Sequence, residues 1–384
     1  MTEGHIEPKP HPSLNLPPHG SIVTVKIINT TSDLVCGSDG FIQPVLEGHE
    51  VLNLPTFAFL IENETLGKTI LFDLGARKDW WNLAPSVQKV LKMSIKGCNI
   101  RQGIDEILQK GGVPLGEIES VIWSHWHWDH CGDMSLFPGS TELVVGPGFK
   151  GAVMPGYPTN PNGVLLDSDF EGREVREITF ESDFKIGQYP AQDFFGDGSF
   201  YLLDVPGHAV GHIAGLARTT ANTWVFMGGD VCHFGGSFRP TAYAPMPQEI
   251  PADVPMDPWF PKPCPCTFFT DLHPNPDKGL ARTEPFFQVT QKEPSWYIDP
   301  STAQQSIDRL QDFDADENVF VAIAHDSGLM PVVEWFPHGT MNDWKEKGWK
   351  EAIHWGFVND LPVKGKSAKP DLAPGRIRDG KVVE

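Results

Sequence analysis

Apolar runs in this chain are short, and several of them stop at a cluster of polar, chemistry-bearing residues. Ser21 to Ile28 alternates, with Val23, Val25 and Ile27 on one side, the period-two pattern of a half-buried strand. Thr56 to Ile61 and Thr69 to Leu74 are β-rich and flank a turn-like stretch from Glu62 to Lys68, which predicts a hairpin or two neighbouring strands. Helical spacing appears at Val87, Val90 and Leu91, and again at Ile104, Ile107 and Leu108, where Gly111-Gly112 halts it. A further helix is predicted through Ile307, Leu310 and Phe313, started by Ser301 or Thr302 after Pro300.

The ends of the runs are more informative than the runs. Val121-Ile122-Trp123 leads into Ser124-His125-Trp126-His127-Trp128-Asp129-His130; Phe200 to Val205 leads into Pro206-Gly207-His208. Trp224 to Met227 leads into Gly228-Gly229-Asp230, and Val319 to Ala324 into His325-Asp326. Four candidate buried strands thus deliver a His or Asp at or just beyond their C-terminal ends, the way a sheet edge gathers distant residues onto one rim. The alternation reads as α/β, with no Gly-rich phosphate loop after a strand.

Composition narrows the classes. The 384 residues allow one large domain or two at roughly 150 residues each, and 40% hydrophobic with 21% charged residues reads as globular. A net charge of −20 argues against nucleic acid or an anionic membrane as partner, since both require a basic face. No apolar run approaches the roughly 20 residues that span a bilayer, and the N-terminus lacks the pattern of a signal peptide, so a cytoplasmic location is expected. Six Cys without C-x-x-C pairing read as reduced thiols. Residues 1–20 are expected as a flexible arm and 361–384 as a tail, both solvated or draped, around one body over 21–360.

His125-x-His127-x-Asp129-His130 is the strongest signal, with three of the 14 His inside six residues. In a loosely extended segment alternate side chains share a side, so His125 and His127 can reach one cation while Asp129 and His130 face a second. Imidazole and carboxylate suit Zn²⁺ and also leave Mn, Fe or Co open. The bland alternative is a His-rich surface tract that binds nothing stoichiometrically.

At these residues the chain resembles the metallo-β-lactamase superfamily. The HxHxDH motif is intact at His125 to His130, and the later ligands of the family have counterparts in order at His208, Asp230 and His325. The resemblance implies a four-layer αβ/βα sandwich carrying two zinc ions. His125, His127 and His208 would hold the first, Asp129, His130 and His325 the second, with Asp230 bridging and Asp73 buttressing the loop. It also implies hydrolysis by a hydroxide held between the cations, with Asp129 as proton shuttle. Pro206-Gly207-His208-Ala209-Val210-Gly211-His212 is similar to an element of the lactone-hydrolysing branch, and His212 is read as a supporting or packing residue. That branch commonly carries a Tyr three residues after the bridging Asp; His233 stands there and is expected to act on the substrate oxygen or leaving group, or merely to sit on the loop.

The family reading makes the partner a small molecule, with a second copy of the chain left open. A cyclic amide or ester, a lactam or lactone, is the expected substrate; fungal benzoxazolinone γ-lactamases are the nearest resemblance and thioester hydrolases the alternative. The stretch between Asp230 and His325 is longer than compact lactonases need and rich in Pro and aromatics: Trp259, Phe260, Phe268, Phe269, Phe286, Phe287, Trp296 and Tyr297. These are expected to wall the pocket, with an oligomer contact or surface flap as alternatives. Phe149 to Pro158 is expected to add further wall, and Trp126 and Trp128 to pack beneath the metal loop. Cys131 and Cys232 are read as packing residues.

Overall fold

The computed structural model describes residues 4–181 and 183–383. Among them, two main sheets carry the fold. The larger has nine strands in the spatial order Lys381–Val383, Arg376–Arg378, Ile95–Ile100, Thr24–Gly37, Val51–Asn63, Lys68–Phe72, Ser120–Ile122, Glu142–Val145 and Val175–Glu177. The smaller has six, ordered Val319–Ala322, Trp224–Met227, Ile213–Arg218, Phe200–Asp204, Tyr189–Asp193 and Lys185–Ile186. The expected hairpin is present, Val51–Asn63 pairing antiparallel with Lys68–Phe72. Beyond it the larger sheet turns parallel, and in the smaller one Trp224–Met227 runs parallel to Val319–Ala322. Parallel neighbours end on the same edge, so Asp230 and His325 emerge side by side.

Strand alternation sorts the side chains into layers. Phe57, Phe59, Phe72 and Ile122 of the larger sheet pack against Phe200, Leu202, Val225 and Phe320 of the smaller one. Their neighbours Ala58, Leu60, Leu71 and Val121 face outward onto helices Ile104–Lys110 and Phe149–Val153. On the far side Leu203, Leu216, Phe226 and Val319 join the core with Ile307, Leu310 and Phe313 of helix Pro300–Ala315. The molecule is the four-layer αβ/βα sandwich that the motif implied.

Two local expectations are corrected, for one helix start and for the tail. Helix Pro300–Ala315 is capped by Asp299, not started by Ser301 or Thr302: the Asp299 carboxylate accepts from the Thr302 N–H at 3.0 Å, a stronger cap than a hydroxyl in the first turn would give. The tail joins the sheet, Arg376–Arg378 pairing with Ile95–Ile100 and then with Lys381–Val383. Adding an edge strand draws on backbone hydrogen bonds and needs no apolar period, so the sequence carries no sign of it. The arm is draped: Leu14 is buried and Arg218 donates to the carbonyls of Pro17 and His19. Its first three residues and Glu384 of the tail lie outside the described residues. No described helix is long and apolar enough to cross a membrane.

Candidate metal centre

The rim is organised from Asp73, at the C-terminal end of strand Lys68–Phe72. Its backbone sits in the left-handed region, φ 61°, and its N–H donates to the Ile122 carbonyl at 2.8 Å. This turn aims the carboxylate across the strand ends. One oxygen accepts from the Ser124 N–H at 2.7 Å; the other accepts from Ser124 Oγ at 2.8 Å and faces His130 Nδ1 at 2.9 Å. Ser124 Oγ in turn lies 3.0 Å from His125 Nδ1, and His325 Nδ1 lies 3.0 Å from the Pro55 carbonyl. These oxygens assign the proton of His125, His130 and His325 to Nδ1, which leaves Nε2 bare and directed inward. Ser124 was not singled out from the sequence, because a lone Ser beside a motif has no chemistry of its own until the fold brings Asp73 to it.

The inward atoms converge. Those of His125, His127, His208 and Asp230 lie close enough to share one ion, as do those of Asp129, His130 and His325. Asp230 stands between the sets: its Oδ2 is 3.6 Å from His125 Nε2 and 3.3 Å from His208 Nε2, and its Oδ1 is 3.1 Å from both His130 Nε2 and His325 Nε2. Asp129 Oδ2 lies 3.6 Å from each of the latter two. His233 also comes within reach of Asp230 and His325. All seven expected ligands therefore meet on one rim.

Their chemistry fits divalent cations. His208 Nε2 faces His127 Nδ1 at 2.8 Å and His125 Nε2 at 3.2 Å, nitrogen against nitrogen. His130 Nε2 and Asp230 Oδ1 are buried without a hydrogen bond, since their close approach is not aligned for one. A buried group in that condition costs about 1–3 kcal/mol, and a cation between the atoms relieves it. Burial pushes His125 and His127 well below the usual imidazole range and His208 to about 3, keeping them in the neutral form that ligates metals. Burial opposes the charge of Asp230, yet His130, His233 and His325 hold its carboxyl well below the usual range.

Two neighbours fix Asp230. His212 Nδ1 lies 2.8 Å from the Val205 carbonyl, and its Nε2 accepts from the Asp230 N–H at 3.0 Å, so it anchors the backbone of Asp230 with both nitrogens engaged. Gly229 precedes it at φ 50°, where a Cβ would come within 2.8 Å of Ser124 Cβ and 3.0 Å of His212 Nε2. His233 is held at both ends as well, Nε2 3.0 Å from Asp230 Oδ2 and Nδ1 3.0 Å from Tyr297 Oη. Tyr297, expected as pocket wall, instead packs behind His233.

The space over the rim is small, about 20 Å³, and its walls differ from those expected. Phe41, Ile95, Trp128 and Trp296 line it. Trp128 faces the cavity, whereas Trp126 packs in the outer core as foreseen. Of the aromatics between Asp230 and His325, Trp296 alone lines it among the described residues: Phe260, Phe269, Phe286 and Phe287 are core, and Trp259 and Phe268 are exposed. Phe149 lies against Trp123 and takes no part in the wall. Cys131 and Cys232 are buried in core clusters, while Cys36 lines the cavity. Phe41, between strands and without a motif, gave no sequence signal.

Residues 52–228 match a family model described as the metallo-beta-lactamase superfamily. The chain is 43% identical over 359 residues to Metallo-hydrolase mfmC of Annulohypoxylon moriforme, covering 92% of this chain and 91% of that one. It is 40% identical over 359 residues to Gamma-lactamase FDB1 of Fusarium pseudograminearum, covering 91% and 85%. Among solved structures, an N-acyl homoserine lactone hydrolase with its product N-hexanoyl-L-homoserine bound shares the fold, with a TM-score of 0.53 at 17% identity over 83% of this chain and 99% of that one. Likeness along nearly the whole of its relatives, together with the rim they share a fold to build, shows that this protein is a metal-dependent hydrolase of the metallo-β-lactamase superfamily.

Proposed function

We propose that the chain is a dinuclear hydrolase that opens the ring of a small lactam or lactone bearing an aromatic group. The observation that carries the reading is the posture of Asp230, one oxygen toward His125 and His208 and the other toward His130 and His325. Two divalent cations there, zinc by the donor set, would bring the pKa of water toward 7 and polarise a carbonyl. The protein positions the rest. Asp129 lines the cavity, and with Oδ2 turned toward His130 and His325 its other oxygen would carry a proton to the departing oxygen or nitrogen. His233 lines the cavity and holds one oxygen of the Asp230 carboxylate, with Tyr297 fixing its ring. Phe41, Trp128 and Trp296 give the space an aromatic lining suited to an aryl substrate, and the γ-lactamase relative supports an amide over a thioester. Six buried cysteines, none of them in a disulfide among the described residues, suit a reducing, cytoplasmic setting.

The reading is tested by assaying metal-loaded protein against a panel of lactams, lactones, thioesters and bis-p-nitrophenyl phosphate, with and without chelator. Chelator-sensitive ring opening of an aryl-fused lactam or lactone is expected. Turnover confined to thioesters or to the phosphodiester would overturn the substrate class.

A further inference from the structure

Space for about one water molecule lies over the rim, so a substrate ring cannot be seated there while Trp296 stays in place. Trp296 is the partition. Its indole stacks on Phe41, ring centres 5.7 Å apart and planes 8° from parallel, and turns an edge toward His127 at 6.1 Å. Beyond it opens a cavity of about 640 Å³, and Trp296 and Ile95 line both spaces. The other large cavity, about 530 Å³ beside Ser327 and Lys369, shares no lining residue with the rim.

The chemistry of the outer cavity is unlike that of the rest of the chain. The molecule carries −20 overall, yet the charged residues lining this space are Lys92, Lys96, Lys292 and a single acid, Asp39. Lys292 is spoken for, 3.1 Å from Asp39. Lys96 makes only a 3.5 Å contact with the Glu50 carbonyl, and Lys92 has no hydrogen bond or ion pair among the described residues. Beside them, Val90 and Met93 are exposed apolar side chains on the same wall. A local basic patch on an acidic protein concentrates anions at that point and repels them elsewhere.

We propose that this outer cavity is the substrate's binding site. It takes a molecule whose scissile ring is joined to an apolar arm ending in a carboxylate, the arm lying along Val90, Met93 and Trp296 and the carboxylate meeting Lys92 and Lys96. Trp296 is the door through which the ring reaches the cations. The proposal rests on the hydrolytic reading of the rim, and it makes the substrate an anion in spite of the net charge of −20.

The test uses two substrates with the same scissile ring, one with a carboxylate-ended arm and one with its methyl ester, and a non-hydrolysable carboxylate analogue for calorimetry. The wild type is expected to favour the carboxylate in kcat/KM by about tenfold, with the ratio falling toward one in Lys92→Glu/Lys96→Glu, in Lys92→Gln/Lys96→Gln and at high salt. The analogue should bind the wild type about tenfold more tightly than either double variant. Hydrolysis of both substrates with no preference, or a preference the lysine variants leave intact, overturns the cavity assignment and leaves the hydrolase reading standing. Tighter analogue binding by the wild type with neither substrate hydrolysed supports the cavity and overturns the hydrolytic reading on which the substrate chemistry rests.

Discussion

Two buried clusters of charged and titratable groups lie in this molecule, and they are satisfied in opposite ways. In one, Arg239 grips Asp314 with two hydrogen bonds of 2.9 and 2.6 Å, and Lys350 donates to the carbonyls of Asp316 and Val319 at 2.6 Å each. In the other, on the rim, imidazole nitrogens face one another and Asp230 Oδ1 has no donor. In the first, Arg239, Asp314 and Lys350 are each partnered by protein atoms, with His354 Nε2 beside them unpaired, and the ion pair pins the insert residue Arg239 to helix Pro300–Ala315. The second leaves its ligand atoms open to a metal. Burial of charge by itself therefore distinguishes nothing; the unpaired atoms and their common focus do.

The contrast breaks at different places. Asp230→Ala removes the oxygen pair shared by both ligand sets, and should cost metal as well as several kcal/mol of transition-state stabilisation, about a thousandfold in kcat/KM. Metal content by mass spectrometry and ring-opening rates check it. Asp314→Asn leaves the Arg239 charge buried with half its partner gone, and an unfolding titration should show a loss of about 3–5 kcal/mol while metal content stays unchanged. Were that variant to lose metal as well, the two clusters would not be separate.

Smaller effects sharpen the comparison. Asp73→Asn keeps the shape of the buttress and weakens its hold on Ser124 and His130, so metal affinity should fall by about 10–100-fold in a chelator competition. In the Arg239–Asp314 cluster, burial holds His354 down at about 3, below its ordinary 6.5. Between those values the unfolded chain binds a proton that the folded chain does not, so stability is lost as pH falls through that window. His354→Gln should remove about 2 kcal/mol of the loss between pH 7 and pH 5, read from denaturant midpoints.

The rim was legible in the sequence and the pocket was not, for a physical reason. Metal ligation requires particular residue types, and a strand's apolar run announces where its C-terminal end will lie, so His125, His208, Asp230 and His325 could be placed before any fold was seen. An aromatic side chain carries no such address. Phe286 and Phe287 entered the core, Trp259 stayed on the surface, and Trp296 alone of the insert's large rings reached the cavity; local pattern is the same for all of them. The tail strands escaped notice because backbone pairing leaves no mark on side-chain order, and Tyr297 was read as wall because its partner His233 lies far away in sequence.

The central claim, that the rim is a two-cation hydrolytic centre, is tested most directly by titrating metal-free protein with zinc while following both bound metal and ring opening of the best substrate from the panel. Activity should rise to its plateau at two equivalents per chain and vanish on removal of the metal. A plateau at one equivalent, or ring opening by the metal-free protein, would contradict it.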